Sequence, residues 1–348
     1  MVRPSTIHVL RRSTQVLVLA SMLLVPALAR YQNYLAAREV DRMIERWEGT
    51  LPGATLRGID EVIRRLPGTE RERAGRLQRD RTGALAYAQQ LRGGPWSIEI
   101  GSISMTDPLA GAESIAASKR VRRVLLVGLL LPVVATVVLG RVFCAWICPM
   151  GFIFECTDKL RRVLRWLEIR PRNVRASRTL KYGLLAAGLL VAFVLSTAVL
   201  GHVYPPAMLG RELHALVFAI FDRAEIGRRG LWIGGLGWAT AALALIVLVE
   251  VSVSRRWWCR YVCPGGALYS LLGAARPVRV TLRADACTQC ARCVRACPMG
   301  LNPMLDQMGM ECDSCGECLA SCQDDALGYE LRNPLAALGR PVIPREQA

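Results

Sequence analysis

Eight of the thirteen cysteines fall between Cys287 and Cys322, in two copies of one spacing. The first copy runs Cys287-x2-Cys290-x2-Cys293-x3-Cys297-Pro298, the second Cys312-x2-Cys315-x2-Cys318-x3-Cys322. Two-residue gaps wrap a chain around one face of a cube, so three thiolates for a 4Fe–4S cluster come from one tight loop. In runs of this kind the fourth cysteine serves the other cluster. The spacing therefore predicts one cluster on Cys287, Cys290, Cys293 and Cys322, and a second on Cys312, Cys315, Cys318 and Cys297. A zinc site pairs two knuckles and has no use for a third cysteine at the next step. Disulfides belong to small secreted domains, which a chain of 348 residues is not. Gln323 stands after Cys322 where the first copy has Pro298; no ligand is lost by it.

A second repeat lies upstream. Arg141-Val142-Phe143-Cys144-Ala145-Trp146-Ile147-Cys148-Pro149 is matched by Arg256-Trp257-Trp258-Cys259-Arg260-Tyr261-Val262-Cys263-Pro264. Each reads Cys-x3-Cys-Pro beside aromatic residues at the end of an apolar run. On a helix the two cysteines of a pair sit one turn apart on one face. A following proline disfavours helix at the second cysteine and turns its thiol off the axis. Two readings stay open: Cys144, Cys148, Cys259 and Cys263 converge on a further metal centre, or each pair works alone as a dithiol or docking element. Cys156 reads as a packed thiol.

These cysteines need elements to carry them, and the composition points to a membrane. Mean hydropathy is +0.28 and the formal charge +17, too apolar for an ordinary soluble chain and too charged for one wholly in lipid. Apolar runs cover Val16–Ala29, Val124–Gly140, Tyr182–Leu200 and Leu231–Val253. A bilayer core takes about 20 helical residues, so about four spanning helices are expected. The first run is preceded by Arg11-Arg12 and followed by Ala27-Leu28-Ala29; it reads as a retained anchor rather than a cleaved signal. Residues 141–181 hold ten Lys or Arg and residues 201–230 hold four. That bias puts 141–181 on the cytoplasmic side and 201–230 outside. Residues 152–167 read as an interfacial helix with Ile153, Leu160, Val163, Leu164 and Leu167 on one face and Lys159, Arg161, Arg162 and Arg165 on the other.

The expected architecture is an α-helical integral membrane protein with a bacterial-type ferredoxin domain of two 4Fe–4S clusters at its C-terminal end. Residues 1–30 form an anchor, 31–122 a helical periplasmic segment, 123–280 the transmembrane core, 281–332 the ferredoxin domain and 333–348 a tail. The ferredoxin domain faces the cytoplasm, where reducing conditions suit its cysteines. No phosphate loop, nucleotide fingerprint, hydrolase motif or nucleic-acid motif is present.

Spanning helices with two Cys-x3-Cys-Pro repeats followed by a double cysteine run resemble the NapH/MauN family of membrane ferredoxin-type proteins. The resemblance covers about residues 95–330 and the Arg11–Ala29 start. It extends to Met105-Thr106-Asp107-Pro108-Leu109, to Tyr204-Pro205-Pro206 through Arg211, and to an acidic residue late in the fourth span, here Glu250. Residues 31–94 are longer than in that family. Regulators of the NosR type share the cysteine pattern but carry a large flavin domain, which is missing here. The resemblance implies quinol oxidation in the bacterial inner membrane and electron passage through iron–sulfur centres to a periplasmic redox system of nitrate-reductase or methylamine type. Partners implied are the quinone pool, membrane lipid and a partner ferredoxin or periplasmic redox protein. Two other functions share this architecture: a redox-sensing or maturation protein, and an assembly scaffold that recruits a partner ferredoxin.

A quinol site needs a proton acceptor. Glu250 lies within an apolar run, where an ionisable group is costly and functional by default, with an ion pair to Arg255 as the alternative. His202 stands in the outer loop and titrates near neutrality. Asp107, before Pro108, is a third candidate and equally suits a helix cap.

Overall fold

The computed structural model describes residues 4–36, 48–50, 54–55, 57–58, 61, 99–100, 103–167, 174, 176–221, 238–305 and 308–331. Most of 37–98, within the helical segment expected over 31–122, and all of the tail 333–348 lie outside the described residues. Helix α1 (Pro4–Ala36) runs six residues past the boundary expected at 30. A two-stranded antiparallel hairpin, β1 (Glu99–Ile100) and β2 (Ile103–Ser104), stands in a segment expected to be helical. The body then follows as α2 (Pro108–Ser118), α3 (Arg123–Leu139), α4 (Val142–Trp146), α5 (Pro149–Trp166), α6 (Thr179–Leu195), α7 (Pro205–Phe221), α8 (Trp238–Ser252), α9 (Trp257–Tyr261) and α10 (Pro264–Leu272). A small cysteine-rich domain closes the described chain: β3 (Val278–Leu282), α11 (Arg292–Ala296), α12 (Glu317–Ser321) and β4 (Leu327–Leu331), with β3 and β4 antiparallel in the register Val280 to Tyr329.

Among the described residues one stretch, Thr6–Leu24, is both long and apolar enough to cross a membrane; Leu125–Leu139, Thr179–Leu195 and Ala239–Ser252 are shorter apolar helices. Each ends for a local reason. Gly140 terminates α3 with φ +75, a conformation other residues resist, and a side chain there would strike Arg276. Ser196 caps α6 in the left-handed region, so the helix ends at Leu195, five residues short of the run expected to reach Leu200. Residues 231–237 of the fourth run lie outside the described residues.

The chain after α6 packs back against the helical body. It turns back at Ser196, and the buried carboxylate of Glu113 on α2 accepts hydrogen bonds from the Val199 and Leu200 N–H groups. Those amides precede a 3-10 turn and have no helical acceptor, which is why an acidic side chain is needed there. The returned segment lays Tyr204 on Gly265 at the start of α10, where any side chain would clash with its ring. Leu109, Ala110, Leu185, Leu200, Tyr204, Ala207, Cys263 and Ala267 form one buried cluster. A residue expected in an outer loop therefore packs beside the second Cys-x3-Cys-Pro motif.

Helix α5 departs from its expected faces. Arg161 turns inward, 7% exposed, and donates to the carbonyls of Glu250 at 2.8 Å and Val251 at 3.2 Å, closing the C-terminal end of α8. Leu160, Val163, Trp166 and Leu167 are exposed. Cys156, expected to be packed, is also exposed.

Candidate iron–sulfur centres

The cysteine-rich domain arranges its thiols in two groups. Cys287, Cys290, Cys293 and Cys322 line one cavity of about 310 Å³, with Thr288, Arg292 and Asp324 at its edge. Cys297, Cys312, Cys315 and Cys318 line another of about 280 Å³, with Val280, Leu301 and Met308. Four thiols line each of them, and a set of four cysteines is the donor set of a 4Fe–4S group. Two thiols of each trio lie in the loop and the third, Cys293 or Cys318, in the short helix that follows; Ala291 and Gly316 take left-handed backbone conformations that turn the loop into it.

The two cavities meet different surroundings. Cys290 is exposed, and the Arg292 backbone N–H holds its thiol below the usual range. Cys312, Cys315 and Cys318 are buried. The loop that carries them is captured by the helical body. Arg276 donates to Gly309 O at 3.1 Å and Cys312 O at 3.0 Å, Arg141 to Glu311 O at 3.3 Å, Trp146 Nε1 to Ser314 O at 3.1 Å, and Arg11 to Cys315 O at 2.9 Å. Ile7 of α1 enters the hydrophobic core of the small domain. Glu311, 1% exposed, takes Arg141 Nη1 at 2.6 Å and the Lys181 ammonium on one oxygen and the Tyr182 hydroxyl on the other.

The two Cys-x3-Cys-Pro motifs fold alike. The Cys148 and Cys263 N–H groups reach back five residues, to Phe143 O at 2.8 Å and Trp258 O at 2.9 Å. Helix stops at Trp146 and Tyr261, so the second thiol of each pair leaves the axis as the proline demands. Gly266 N–H then donates to Cys263 Sγ at 3.3 Å, and Gly151 N–H acts in the same way on Cys148. The four thiols come together. Burial pushes all of them up, and neighbouring thiols add to it: Cys144 and Cys263 act on Cys148, Cys144 on Cys263, and Cys263 and Cys148 on Cys259. Cys263 is raised to about 11.

The acidic candidates separate. Asp107 is fully buried; its Oδ1 caps α2 through Leu109 N at 2.8 Å and Ala110 N at 3.4 Å, and its Oδ2 accepts the Tyr204 and Tyr269 hydroxyls at 3.2 Å and 3.1 Å. Burial raises its carboxyl, and these four donors oppose the rise. Glu250 is used locally: its carboxylate accepts Trp257 N at 3.0 Å and Trp258 N at 2.7 Å, starting α9, while Arg255 pairs with Asp158 at 3.0 Å instead. His202 sits exposed in a 3-10 turn. Tyr204, Tyr269, Glu113 and Glu311 are absent from the sequence-based candidates. Glu311 carried one signal, its position next to Cys312, and Tyr204 stood only in a stretch that carries the family resemblance.

A mainly helical body with cysteine cavities of this kind defines an iron–sulfur protein of ferredoxin type. A family model described as a 4Fe-4S binding domain, Fer4_5, matches residues 123–166 and 236–282. Those are the two stretches with the Cys-x3-Cys-Pro motifs, not the run from Cys287 to Cys322. Over 248 residues the chain is 32% identical to the ferredoxin-type protein NapH of Haemophilus influenzae, covering 68% of this chain and 78% of that one. It is 33% identical over 221 residues to the methylamine utilization ferredoxin-type protein MauN of Paracoccus denitrificans, covering 62% and 70%. It is 26% identical over 215 residues to the putative electron transport protein YccM of Escherichia coli, covering 59% and 55%. No solved structure matches. The chain belongs to the NapH/MauN family of ferredoxin-type proteins.

Proposed function

We propose that this protein is a multi-pass carrier in the bacterial inner membrane that takes electrons from quinol and passes them through iron–sulfur centres to a periplasmic redox system. Nitrate-reductase and methylamine pathways are the two to which its relatives point. A 4Fe–4S cluster supplies one-electron transfer with little change of geometry. Its holders are Cys287, Cys290, Cys293 and Cys322 for one cluster, Cys297, Cys312, Cys315 and Cys318 for a second, and Cys144, Cys148, Cys259 and Cys263 for a third.

The observation that carries this reading is the common polarity of the apolar helices. The N-terminal end of α1 meets the cysteine-rich domain through Arg11, the C-terminal end of α3 leads into Arg141, the N-terminal turn of α6 holds Lys181, and α8 leads into Arg255, which donates to Arg295 O. Four alternating passes give this pattern. Leu17, Val127, Leu130, Leu190, Val194 and Leu248 are more than half exposed, as side chains facing lipid should be. Helices α3 and α6, of 17 residues each, lie at the lower end of the length that crosses a bilayer. The charge bias of 141–181 supports a cytoplasmic cysteine-rich domain.

The chain's own residues then have defined tasks. Arg141 and Glu311 hold the buried cysteine cavity at a fixed place beside Cys144. Cys290 and its neighbours present the outer cavity to solvent, where a soluble redox partner has access. Asp107, with Tyr204 and Tyr269, is the buried acid grouped with the Cys263 core, and it is the acceptor we assign for protons released beside that core.

The full-length protein in membranes is the material for the test. Quinol added without oxygen should reduce iron–sulfur EPR signals, and iron and sulfide should reach three clusters per chain. Ser at each of Cys144, Cys148, Cys259 and Cys263 should remove the same signal. Signals that quinol leaves oxidised, but a soluble donor reduces, would favour the scaffold function. A periplasm-only reporter fused after Val280 should be silent; activity there would reverse the orientation.

A further inference from the structure

Arg141 and Arg256 occupy the same place in the two repeats, three residues before the first cysteine. Both guanidiniums are buried, at 0% and 5% exposure. Arg256 reaches its place with a left-handed backbone, φ +52, which a long side chain adopts only when its surroundings impose it. The two side chains cross. A methyl group on Gly266, three residues after Cys263, would lie 3.0 Å from Arg141 Nη2; one on Gly151, three residues after Cys148, would lie 3.6 Å from Arg256 Nη1. Each arginine of one repeat thus reaches the helix start that follows the cysteine pair of the other. The same two methyl groups would meet Cys259 O at 3.4 Å and Cys144 O at 2.8 Å, so the exchange is symmetric down to the backbone.

Carboxylates do not use up these cations. Arg141 Nη1 is on Glu311 and Arg256 Nη2 is 3.4 Å from Glu155, yet Nε and Nη2 of Arg141 and Nε of Arg256 have no hydrogen-bond partner. Buried N–H groups are rarely left so, because each forfeits its hydrogen bonds to water without replacement. The charges facing them include cysteines: Cys144 for Arg141 and Cys259 for Arg256, with Asp313 facing both.

We infer that Arg141 and Arg256 form a cationic clasp for the four-thiolate centre, donating to its sulfur atoms and offsetting its negative charge. This rests on the reading that an iron–sulfur cluster occupies Cys144, Cys148, Cys259 and Cys263. Four thiolates around a cluster carry net negative charge, and a buried anionic site needs paired charge and hydrogen bonds. Donors and charge next to the sulfurs also set the reduction potential. The clasp stabilises the reduced, more negative form and makes this centre a better electron acceptor than the same thiolates alone.

The test is an EPR redox titration of the full-length protein, with iron and sulfide content, for the unsubstituted chain, Arg256→Gln and Arg256→Lys. The centre is identified as the signal that Cys259→Ser removes. Arg256→Gln should keep its iron and shift the oxidised-to-reduced ratio at a fixed potential about tenfold toward the oxidised form, about 59 mV for one electron. Arg256→Lys should stay within about threefold of the unsubstituted chain. Loss of the centre in the glutamine variant with retention in the lysine variant also supports the clasp. An unchanged potential in Arg256→Gln, or equal loss in both variants, overturns it. If the unsubstituted chain holds only two clusters, the cluster reading itself fails and takes the clasp with it, a result told apart because no variant is involved.

Discussion

Replacing Glu311 by glutamine keeps the shape of the side chain and removes its charge. Two cations, Arg141 and Lys181, each 0% exposed, then face a neutral amide in a buried site. Breaking a buried pair by removing one partner costs about 3–5 kcal/mol, because the charge left behind is uncompensated. Here the carboxylate joins the helical body to the loop before Cys312. The cost therefore falls on docking of that loop rather than on the fold of either part. At about 1.4 kcal/mol per tenfold, the undocked population rises by roughly two to three and a half powers of ten. Hydrogen exchange of the amides at 309–316 reads that opening directly. The comparison is Asp158→Asn, whose partner Arg255 is 41% exposed; a pair of that kind contributes about 0.2–1 kcal/mol, at most about fivefold. Exchange in Glu311→Gln within about threefold of the unsubstituted protein would refute the role of this carboxylate in docking.

Cys297→Ser should perturb the same EPR signal as Cys315→Ser, since both thiols line one cavity; tracking Cys290→Ser instead would break the crossed assignment. Iron chelation should remove the signal dependent on Cys290 well before the one dependent on Cys315, because Cys290 is exposed and Cys315 buried; simultaneous loss would contradict the two environments. Asp107→Ala should lower the melting temperature in detergent: the lost cap costs about 0.5–2 kcal/mol and each tyrosine hydroxyl left without an acceptor about 1–3 kcal/mol. A melting temperature equal to that of the unsubstituted chain would show that neither is at work.

The two thiol groups of the cysteine-rich domain were legible because three of each four lie close together, within seven residues of sequence. The apolar runs were legible by length, but their ends were not, since Gly140 and Ser196 stop helices by backbone geometry inside runs that stay apolar beyond them. Residues that act through distant partners left no mark. Arg161 has helical spacing on a polar face, yet it serves the carbonyls of α8. Glu250 looks like an intramembrane charge, and its carboxylate meets two amides that only the start of α9 brings near. Tyr204 reads as the beginning of an outer loop because nothing local records that Glu113 pulls the chain back.

Helix α1 also belongs to a domain at the other end of the described chain. Ile7 completes the core of the cysteine-rich domain, and Arg11 holds a carbonyl 304 residues away. Contacts of such separation close almost the whole described chain into one loop, at a cost in chain entropy that grows only slowly with length. The loop of Cys312, Cys315 and Cys318 therefore shares its packing with the N-terminal turns of α1, and a change in how that helix is seated reaches the buried thiols directly.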